Sequence, residues 1–199
     1  MLDINKKYWN EKYINLYKYL GERRYSEHQE DGIIEAVFKN KKGYFVDVGA
    51  YGQRSSNTWV LMEKGWKGLM IEEDKNQIIE IATTIKPSIK YIEKHITQTN
   101  LEETLLEQGV PYDFDFLSID VDSYDYEIWK NLQVFKPKLV CIEVNQTEQD
   151  FEVLNYDPSY SVVSSEYGGA TIGLMNRLAN DKDYDYLCWD VSNAFYIRR

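Results

Sequence analysis

The chain has 199 residues, of which 43% are hydrophobic, and a formal charge of −10, because 33 acidic residues outnumber 23 lysines and arginines. This length and composition indicate one ordinary domain with its own core. The excess negative charge repels phosphate backbones and anionic membranes, so neither nucleic acid nor membrane is expected as a partner.

No apolar run approaches the roughly 18 residues of a membrane span, and the first 20 residues lack the apolar centre of a signal peptide. The sequence therefore predicts a soluble, cytoplasmic protein, and it gives no indication of an oligomeric state. Cys141 and Cys188 lie in apolar runs, where free thiols usually act as small buried hydrophobes. We expect neither a disulfide nor a zinc site.

Residues 1–24 are interpreted as an N-terminal helical extension, and residues 25–199 as the main domain. From residue 43 onward, short apolar runs alternate with longer stretches of helical periodicity. This alternation predicts an α/β fold with a parallel sheet covered on both faces. Predicted strands occupy 43–49, 68–74, 89–96, 114–122 and 137–145. Predicted helices occupy 55–65, 75–85, 100–109, 125–135 and 170–181.

Two further strands are predicted in 184–199, joined by the short link "DVSN" at 190–193. A link of this length cannot make a parallel crossover, so the final pair is expected to be antiparallel.

A glycine-bearing turn, "DVGAYG" at 47–52, follows the first predicted strand. In parallel sheets such a turn lets the backbone approach a ligand closely. Glu72 ends the second strand, 23 residues after Gly49, near the spacing at which an acidic side chain binds ribose hydroxyls. Because Asp47 and Glu72 are both acidic, a cationic nucleoside fits better than a pyrophosphate. The alternative is a structural turn beside an incidental surface glutamate.

Four blocks of sequence resemble the FkbM-like branch of the S-adenosylmethionine-dependent methyltransferases, in the order that the family has. They are "RYSEHQEDGIIEAVF", "GYFVDVGAYGQRSSNTWVLMEKGWKGLMIEED", "FDFLSIDVDSYDYEIW" and "NAFYIRR". The resemblance implies a class I methyltransferase fold, a Rossmann-like three-layer sandwich. Its sheet is mostly parallel and seven-stranded, with an antiparallel last strand. A sugar or another polar molecule with a hydroxyl is implied as the methyl acceptor.

S-adenosylmethionine is the cofactor that this resemblance implies. Asp47, Gly49, Ala50 and Gly52 would contact its methionine part, and Glu72 its ribose. Tyr51 and Asn57, from the same turn, and Asp120, from the fourth strand, complete the predicted cofactor-binding set.

Acidic side chains also follow the fourth and fifth strands. Asp120 and Asp122 are two residues apart, on one side of the strand if side chains alternate, and Glu143 and Asn145 have the same spacing on the next strand. Methyl transfer to a hydroxyl needs a group that takes the proton, and neighbouring carboxylates raise one another's pKa. We predict Asp122 or Glu143 as the base and Asn145 as an orienting group.

Other interpretations of this cluster stay open. The D-x-D pattern is also the metal and nucleotide-sugar motif of many glycosyltransferases, and its oxygen ligands suit a divalent ion. Such an ion could also serve a methyltransferase, although a metal site is not predicted. Alternatively, Asp122 and Ser123 only cap the helix that begins near Tyr124. A domain that binds a nucleoside without turnover is a third possible function.

Glu30 and Asp31, in "SEHQEDG", are candidate substrate-binding residues. The competing interpretation is a helix N-terminus, where Ser26 caps and acidic residues are favoured. His28 and His95 have no neighbour suited to metal binding or nucleophilic catalysis, and they are expected to be surface or hydrogen-bonded polar residues.

Overall fold

The computed structural model describes residues 6–52, 55–122, 124–145 and 169–199. Its described strands form one seven-stranded sheet in the order β3-β2-β1-β4-β5-β7-β6. The strands are β1 (Tyr44–Val48), β2 (Lys67–Glu72), β3 (Ile89–Glu93), β4 (Phe116–Ile119), β5 (Leu139–Glu143), β6 (Tyr184–Asp190) and β7 (Asn193–Arg198).

Strand direction follows the sequence prediction. β1 pairs in parallel with β2 and β4, and further parallel pairs join β2 to β3 and β4 to β5. β7 runs antiparallel to both β5 and β6, and it lies between them. The antiparallel terminal pair and the mostly parallel seven-stranded sheet are therefore confirmed.

Helices cover both faces of the sheet, as expected for buried parallel strands. They are α1 (Glu30–Phe38), α2 (Trp59–Glu63), α3 (Lys75–Thr84), α4 (Leu101–Glu107), α5 (Asp125–Asn131) and α6 (Ile172–Asp181). Alternate residues of β1 face opposite layers. Val46 and Val48 pack in the cluster that includes α4, α5 and α6, whereas Phe45 packs in the cluster with α1 and α2. This arrangement gives three layers with a core on each side of the sheet.

The predicted N-terminal helix takes 3-10 geometry, in Lys6–Tyr8 and Glu11–Tyr19. Trp9 is buried and forms an antiparallel bridge with Cys188, and the Asn10 backbone N–H donates to the Leu187 carbonyl at 2.9 Å. This segment therefore packs on β6. The boundary after residue 24 stays a prediction.

Both cysteines are free and buried, as expected. Within the described ranges, no helix combines the length and the apolar character that crossing a membrane would require.

Candidate functional site

A cleft of about 770 Å³ lies beyond the carboxyl ends of β1, β2, β4 and β5. Ligands of open parallel sheets bind at this edge. Nine of the predicted site residues line the cleft: Glu30, Asp47, Gly49, Tyr51, Asn57, Glu72, Asp120, Asp122 and Glu143.

Three predicted residues of the turn and of β5 lie off the cleft wall. Ala50 is fully buried, and its N–H donates to the Ile71 carbonyl at 3.0 Å. The Gly52 N–H donates to Oε1 of Gln77 at 3.1 Å. Asn145 lies beyond the end of β5 at Glu143 and forms a parallel bridge with Thr171.

Asp31 also lies away from the cleft. Its Oδ2 accepts the backbone N–H groups of Arg24 and Tyr25, each at 2.7 Å, and that of Ser26 at 3.3 Å. In return, the Ser26 hydroxyl accepts the Asp31 N–H at 3.2 Å. Asp31 therefore orders the segment before α1, in line with the helix N-terminus interpretation.

Gly49 is required by the geometry of the first turn. Its φ is +79°, and a Cβ at this position would lie 1.8 Å from the backbone oxygen of Asp120. Only glycine lets the ends of β1 and β4 approach so closely. The Gly49 N–H also donates to the Ile71 carbonyl at 3.0 Å, which ties the turn to β2.

Asp47 lies on the α1 and α2 side of β1 and is only 3% exposed. Its Oδ2 accepts the Thr58 hydroxyl at 2.5 Å, and Ser118 also donates to the carboxylate. Burial raises the pKa of Asp47 to about 6, against the two hydroxyl donors, and the nearby charge of Glu72 adds to the rise. Asn57 joins this network by donating to the Ser118 hydroxyl at 3.3 Å.

Glu72 ends β2 and faces the same cleft as Gly49. Its Oε1 accepts the backbone N–H groups of Glu73 and Asp74, each at 2.7 Å. These two bonds fix the carboxylate, and no described residue donates to Oε2. One oxygen is therefore available to a ligand in the cleft.

The sequence did not identify several residues that line the cleft next to Glu72. Lys94 and His95 follow β3, and Glu73 follows β2. His95 Nδ1 contacts Oε2 of Glu73, so His95 is hydrogen-bonded as expected, but on the cleft wall. The rule that residues after parallel strands face the site would have found this group.

Asp120, Asp122 and Glu143 come together at the ends of β4 and β5. One carboxylate oxygen from each lies within 4.8 Å of the others. Strand alternation does not cause this, because β4 ends at Ile119. Instead, Asp122 adopts a left-handed backbone with φ of 58°, which aspartate tolerates, and its N–H donates to the Glu143 carboxylate. The three oxygens are the group that could hold a divalent ion.

Burial is the main cause that raises the pKa of both Asp120 and Glu143 to about 8. For Asp120 the neighbouring charges of Asp125 and Asp122 add to the effect, and for Glu143 those of Asp120 and Asp125 do. The Asp122 N–H lowers the pKa of Glu143 in part. Carboxyl groups that change charge near neutral pH suit proton transfer.

Helix capping does not account for this cluster among the described residues. The N-cap position of α5 is Tyr124, without a side-chain hydrogen bond to the helix. Asp125 instead accepts the Val121 N–H at 3.0 Å, a contact that the sequence did not predict. Ser123 lies outside the described residues.

The far end of the cleft is formed by α1 and β7. Nδ2 of Asn193 donates to Oε1 of Glu30 at 3.0 Å, and the His28 N–H donates to Oε2 at 2.9 Å. Glu30 is 0% exposed and Asn193 is 3% exposed. Asn193 is the register partner of Glu143 on β5. No local sequence signal points to Asn193, because the contact depends on long-range strand pairing.

Solved methyltransferase structures share this fold at low sequence identity. A Staphylococcus aureus protein provisionally assigned as a caffeoyl-CoA O-methyltransferase has a TM-score of 0.57 and 14% identity, covering 94% of this chain and 90% of that chain. A provisionally assigned O-methyltransferase of Klebsiella pneumoniae has a TM-score of 0.56 and 13% identity, covering 94% and 88%. The chain has the class I methyltransferase fold. No family model matches the sequence, and no curated protein matches it.

A third class I methyltransferase structure comes from Clostridium acetobutylicum and is described as S-adenosylmethionine-dependent. Its TM-score is 0.51 at 13% identity, with 85% of this chain and 90% of that chain covered. At such identities the likeness establishes the fold only, so the reaction must be argued from the site.

The cleft of this protein is strongly acidic. Among the described residues, nine aspartates and glutamates line it, against the single lysine Lys94. Nζ of Lys94 is engaged by Glu107 at 3.2 Å. A ligand that brings positive charge is therefore favoured over one that brings negative charge.

Proposed function

We propose that the protein is an S-adenosylmethionine-dependent methyltransferase that methylates a hydroxyl of a polar small molecule. The observation that carries the proposal is the position of Glu72, fixed by two backbone N–H groups and facing the same cleft as the Gly49 turn. The class I methyltransferase fold of the solved neighbours supports it.

The charge of the cleft distinguishes this donor from a nucleotide sugar. A glycosyltransferase using Asp120 and Asp122 would have to hold a diphosphate among nine acidic side chains, with Lys94 as the one lysine among the described residues of the wall. A sulfonium donor instead brings positive charge to these groups. The acidity of the cleft therefore supports the methyltransferase over the glycosyltransferase.

The residues around the first turn fit a donor of this kind. The cofactor supplies a methyl group on a positively charged sulfur. On the protein side, Oε2 of Glu72 is available to accept hydrogen bonds from ribose hydroxyls, and the bare backbone of Gly49 permits close approach. Asp47, Tyr51 and Asn57 are proposed to complete this half of the site. Ala50 and Gly52 act through the shape of the turn.

The cluster at β4 and β5 fits the acceptor side of the reaction. We assign the base to Glu143 or Asp122, with Asp120 toward the cofactor. A carboxyl with a pKa of about 8, as burial gives Glu143, can exchange a proton near neutral pH. The three carboxylates could also hold a divalent ion that lowers the pKa of the acceptor hydroxyl. Glu30 is proposed to contact the acceptor.

Membership of the FkbM-like branch, the sugar as acceptor and a cytoplasmic location rest on the sequence and stay predictions. A binding domain without turnover is the remaining alternative. It would bind the cofactor and transfer no methyl group to any member of a broad panel of acceptors.

Calorimetric titration with S-adenosylhomocysteine tests the cofactor assignment. We expect binding by the unaltered protein, and Glu72→Ala should weaken it by about tenfold to a hundredfold, because hydrogen bonds to a charged group are worth about 1.5–3 kcal/mol. Glu30→Ala should change this affinity far less.

Glu93→Ala is the matched control for Glu72→Ala. Glu93 is the register partner of Glu72 on β3 and does not line the cleft, so its removal deletes the same charge nearby without touching the ligand. The absence of detectable binding by the unaltered protein at millimolar ligand would refute the proposal. Equal losses in the Glu72 and Glu93 variants would refute the role of Glu72.

A further inference from the structure

The far end of the cleft contains two buried acceptor atoms without a donor. They are Oε2 of Glu143 and Oδ1 of Asn193, and no described residue forms a hydrogen bond with either. Both side chains line the cleft, and they stand opposite each other in the β5–β7 register. A buried acceptor that lacks a donor is costly, and because these two belong to residues of the cleft wall, a donor group of a bound ligand can satisfy them.

The orientation of Asn193 is set by its neighbour. Its Nδ2 donates to Oε1 of the fully buried Glu30, since a carboxylate oxygen needs a donor. This contact leaves the amide oxygen as the free end. The ligand group at this position must therefore be a donor. Oε2 of Glu143 needs a donor as well once Glu143 is ionised, the form that a neighbouring positive charge favours.

No described lysine or arginine lines this end of the cleft. None of Glu30, Asp120 or Glu143 forms an ion pair there, and Lys94 is engaged by Glu107. The countercharge is therefore expected to come from the ligand.

We propose that the acceptor end of the cleft binds a protonated amine, so that the methyl acceptor is an amino alcohol or an amino sugar. This inference rests on the proposed methyltransferase function and names its substrate class. A primary ammonium group offers three N–H donors and one positive charge. Oε2 of Glu143, Oδ1 of Asn193 and the carboxylate of Asp120 are the acceptors that would receive them, and the neighbouring hydroxyl would be the methylated group. Because Glu143 then holds the amine, this inference assigns the base to Asp122.

A divalent ion is the competing occupant. It would draw on the carboxylates of Asp120, Asp122 and Glu143 together. The ammonium is favoured because the unpartnered acceptors are single atoms on two different strands, and one of them is a neutral amide oxygen. Separate N–H donors match such a distribution. The test below includes the ion as an outcome.

Matched pairs of probes test the amine in the presence of saturating S-adenosylhomocysteine. Ethanolamine is compared with ethylene glycol, and glucosamine with glucose, by calorimetry near neutral pH. We expect the amine of at least one pair to bind about tenfold more tightly than its neutral partner, as charged hydrogen bonds predict. Asn193→Ala and Glu143→Gln should each abolish this preference while the affinity for S-adenosylhomocysteine changes less than about twofold.

Glu73→Gln is the control, because it removes a cleft carboxylate on the β2 side, away from β5 and β7. It should leave the amine preference intact. If S-adenosylhomocysteine binds but neither amine binds more tightly than its neutral partner, the inference is overturned and the methyltransferase proposal still stands. The same holds if binding of both amines is undetectable. The ion would replace the amine as the occupant if two results are found together. The protein would bind manganese and lose it in Glu143→Gln, and the neutral probes would bind only when manganese is present. Failure to bind S-adenosylhomocysteine would instead refute the proposed function itself.

Discussion

Glu30 and Asp31 are neighbours at the start of α1, yet their carboxylates face different surroundings. Glu30 lines the cleft and is held by Asn193, whereas Asp31 turns back onto the backbone of residues 24–26. Successive side chains of a helix point about 100° apart, so only one of the two can face the sheet edge. Both are fully buried, but for different reasons.

Asp31→Ala is predicted to destabilise the protein without weakening cofactor binding directly. Three backbone N–H groups lose their acceptor, which should lower the free energy of unfolding by about 2–4 kcal/mol. Urea denaturation measures this change, and titration with S-adenosylhomocysteine should show an affinity within about twofold of the unaltered protein.

Asp31→Asn is the matched control for this prediction. All three bonds end on Oδ2, and no described residue donates to Oδ1, so an amide can keep its oxygen in the bonded position. Most of the stability should return. Equal stability of Asp31→Ala and the unaltered protein would show that these bonds do not hold the segment.

Residues at the carboxyl ends of parallel strands face the ligand site, and this rule explains which site residues the sequence could identify. Asp47, Glu72 and Asp120 each sit at or just after the end of a parallel strand, and all three line the cleft. Asn145 was placed by the same rule, but β5 ends two residues earlier, and Asn145 pairs with Thr171 and does not line the cleft. Asn193 could not be found, because its position depends on pairing between strands some 50 residues apart in sequence.

Local sequence patterns predicted the strands themselves, but not the order in which all of them pair. Apolar runs and the short link at 190–193 were enough to predict the strands and the antiparallel final pair. The insertion of β7 between β5 and β6 was not predicted, because periodicity does not say which strand a hairpin joins. That insertion brings Asn193 beside Glu143 and so shapes the acceptor end of the cleft.

Replacing Gly49, in the turn after β1, should cost much more stability than replacing Gly109. Gly49 and Gly109 both have positive φ, at +79° and +67°, but only Gly49 has a backbone oxygen in the way of a Cβ. Gly49→Ala should cost about 2–4 kcal/mol of stability, from left-handed strain plus overpacking, and should weaken binding of S-adenosylhomocysteine. Urea denaturation and calorimetry measure the two effects.

Gly109→Ala isolates the contribution of backbone strain, because a Cβ there meets no atom within 4 Å. Its cost should be about 1 kcal/mol, with cofactor affinity unchanged. If the two variants lose equal stability and equal affinity, the close approach of Gly49 to Asp120 is not what the turn requires.

Across the whole molecule, the described fold buries several carboxyls and thereby raises their pKa. The pKa is about 6 for Asp47, about 7 for Asp190, and about 8 for both Asp120 and Glu143, with burial as the largest cause in each case. The unfolded chain releases these protons near pH 4, whereas the folded chain retains them to higher pH. Stability should therefore fall as the pH rises from about 4 to about 8, and a cationic ligand should restore part of it.

Asp190 allows this effect to be tested outside the proposed site. It ends β6, is 4% exposed, and accepts the Gln29 N–H at 2.6 Å. Burial, and then the charge of Glu30, raise its pKa to about 7, while the Gln29 N–H and Arg23 oppose the rise. Asp190→Asn keeps an acceptor oxygen for Gln29 and removes the cost of ionisation. The free energy of unfolding at about pH 8 should therefore rise by on the order of 2 kcal/mol.

Urea denaturation at several pH values distinguishes this gain from a general improvement in packing. Below about pH 4 the carboxyl is protonated in both the folded and the unfolded chain, so Asp190→Asn should have no advantage there. The advantage should grow between about pH 4 and pH 7, as the unfolded chain loses a proton that the folded chain keeps. Asp183→Asn, at a carboxylate that is 80% exposed just before β6, should follow the unaltered protein at every pH. If the free energy of unfolding of Asp190→Asn runs parallel to that of the unaltered protein at all pH values, ionisation of Asp190 does not oppose folding.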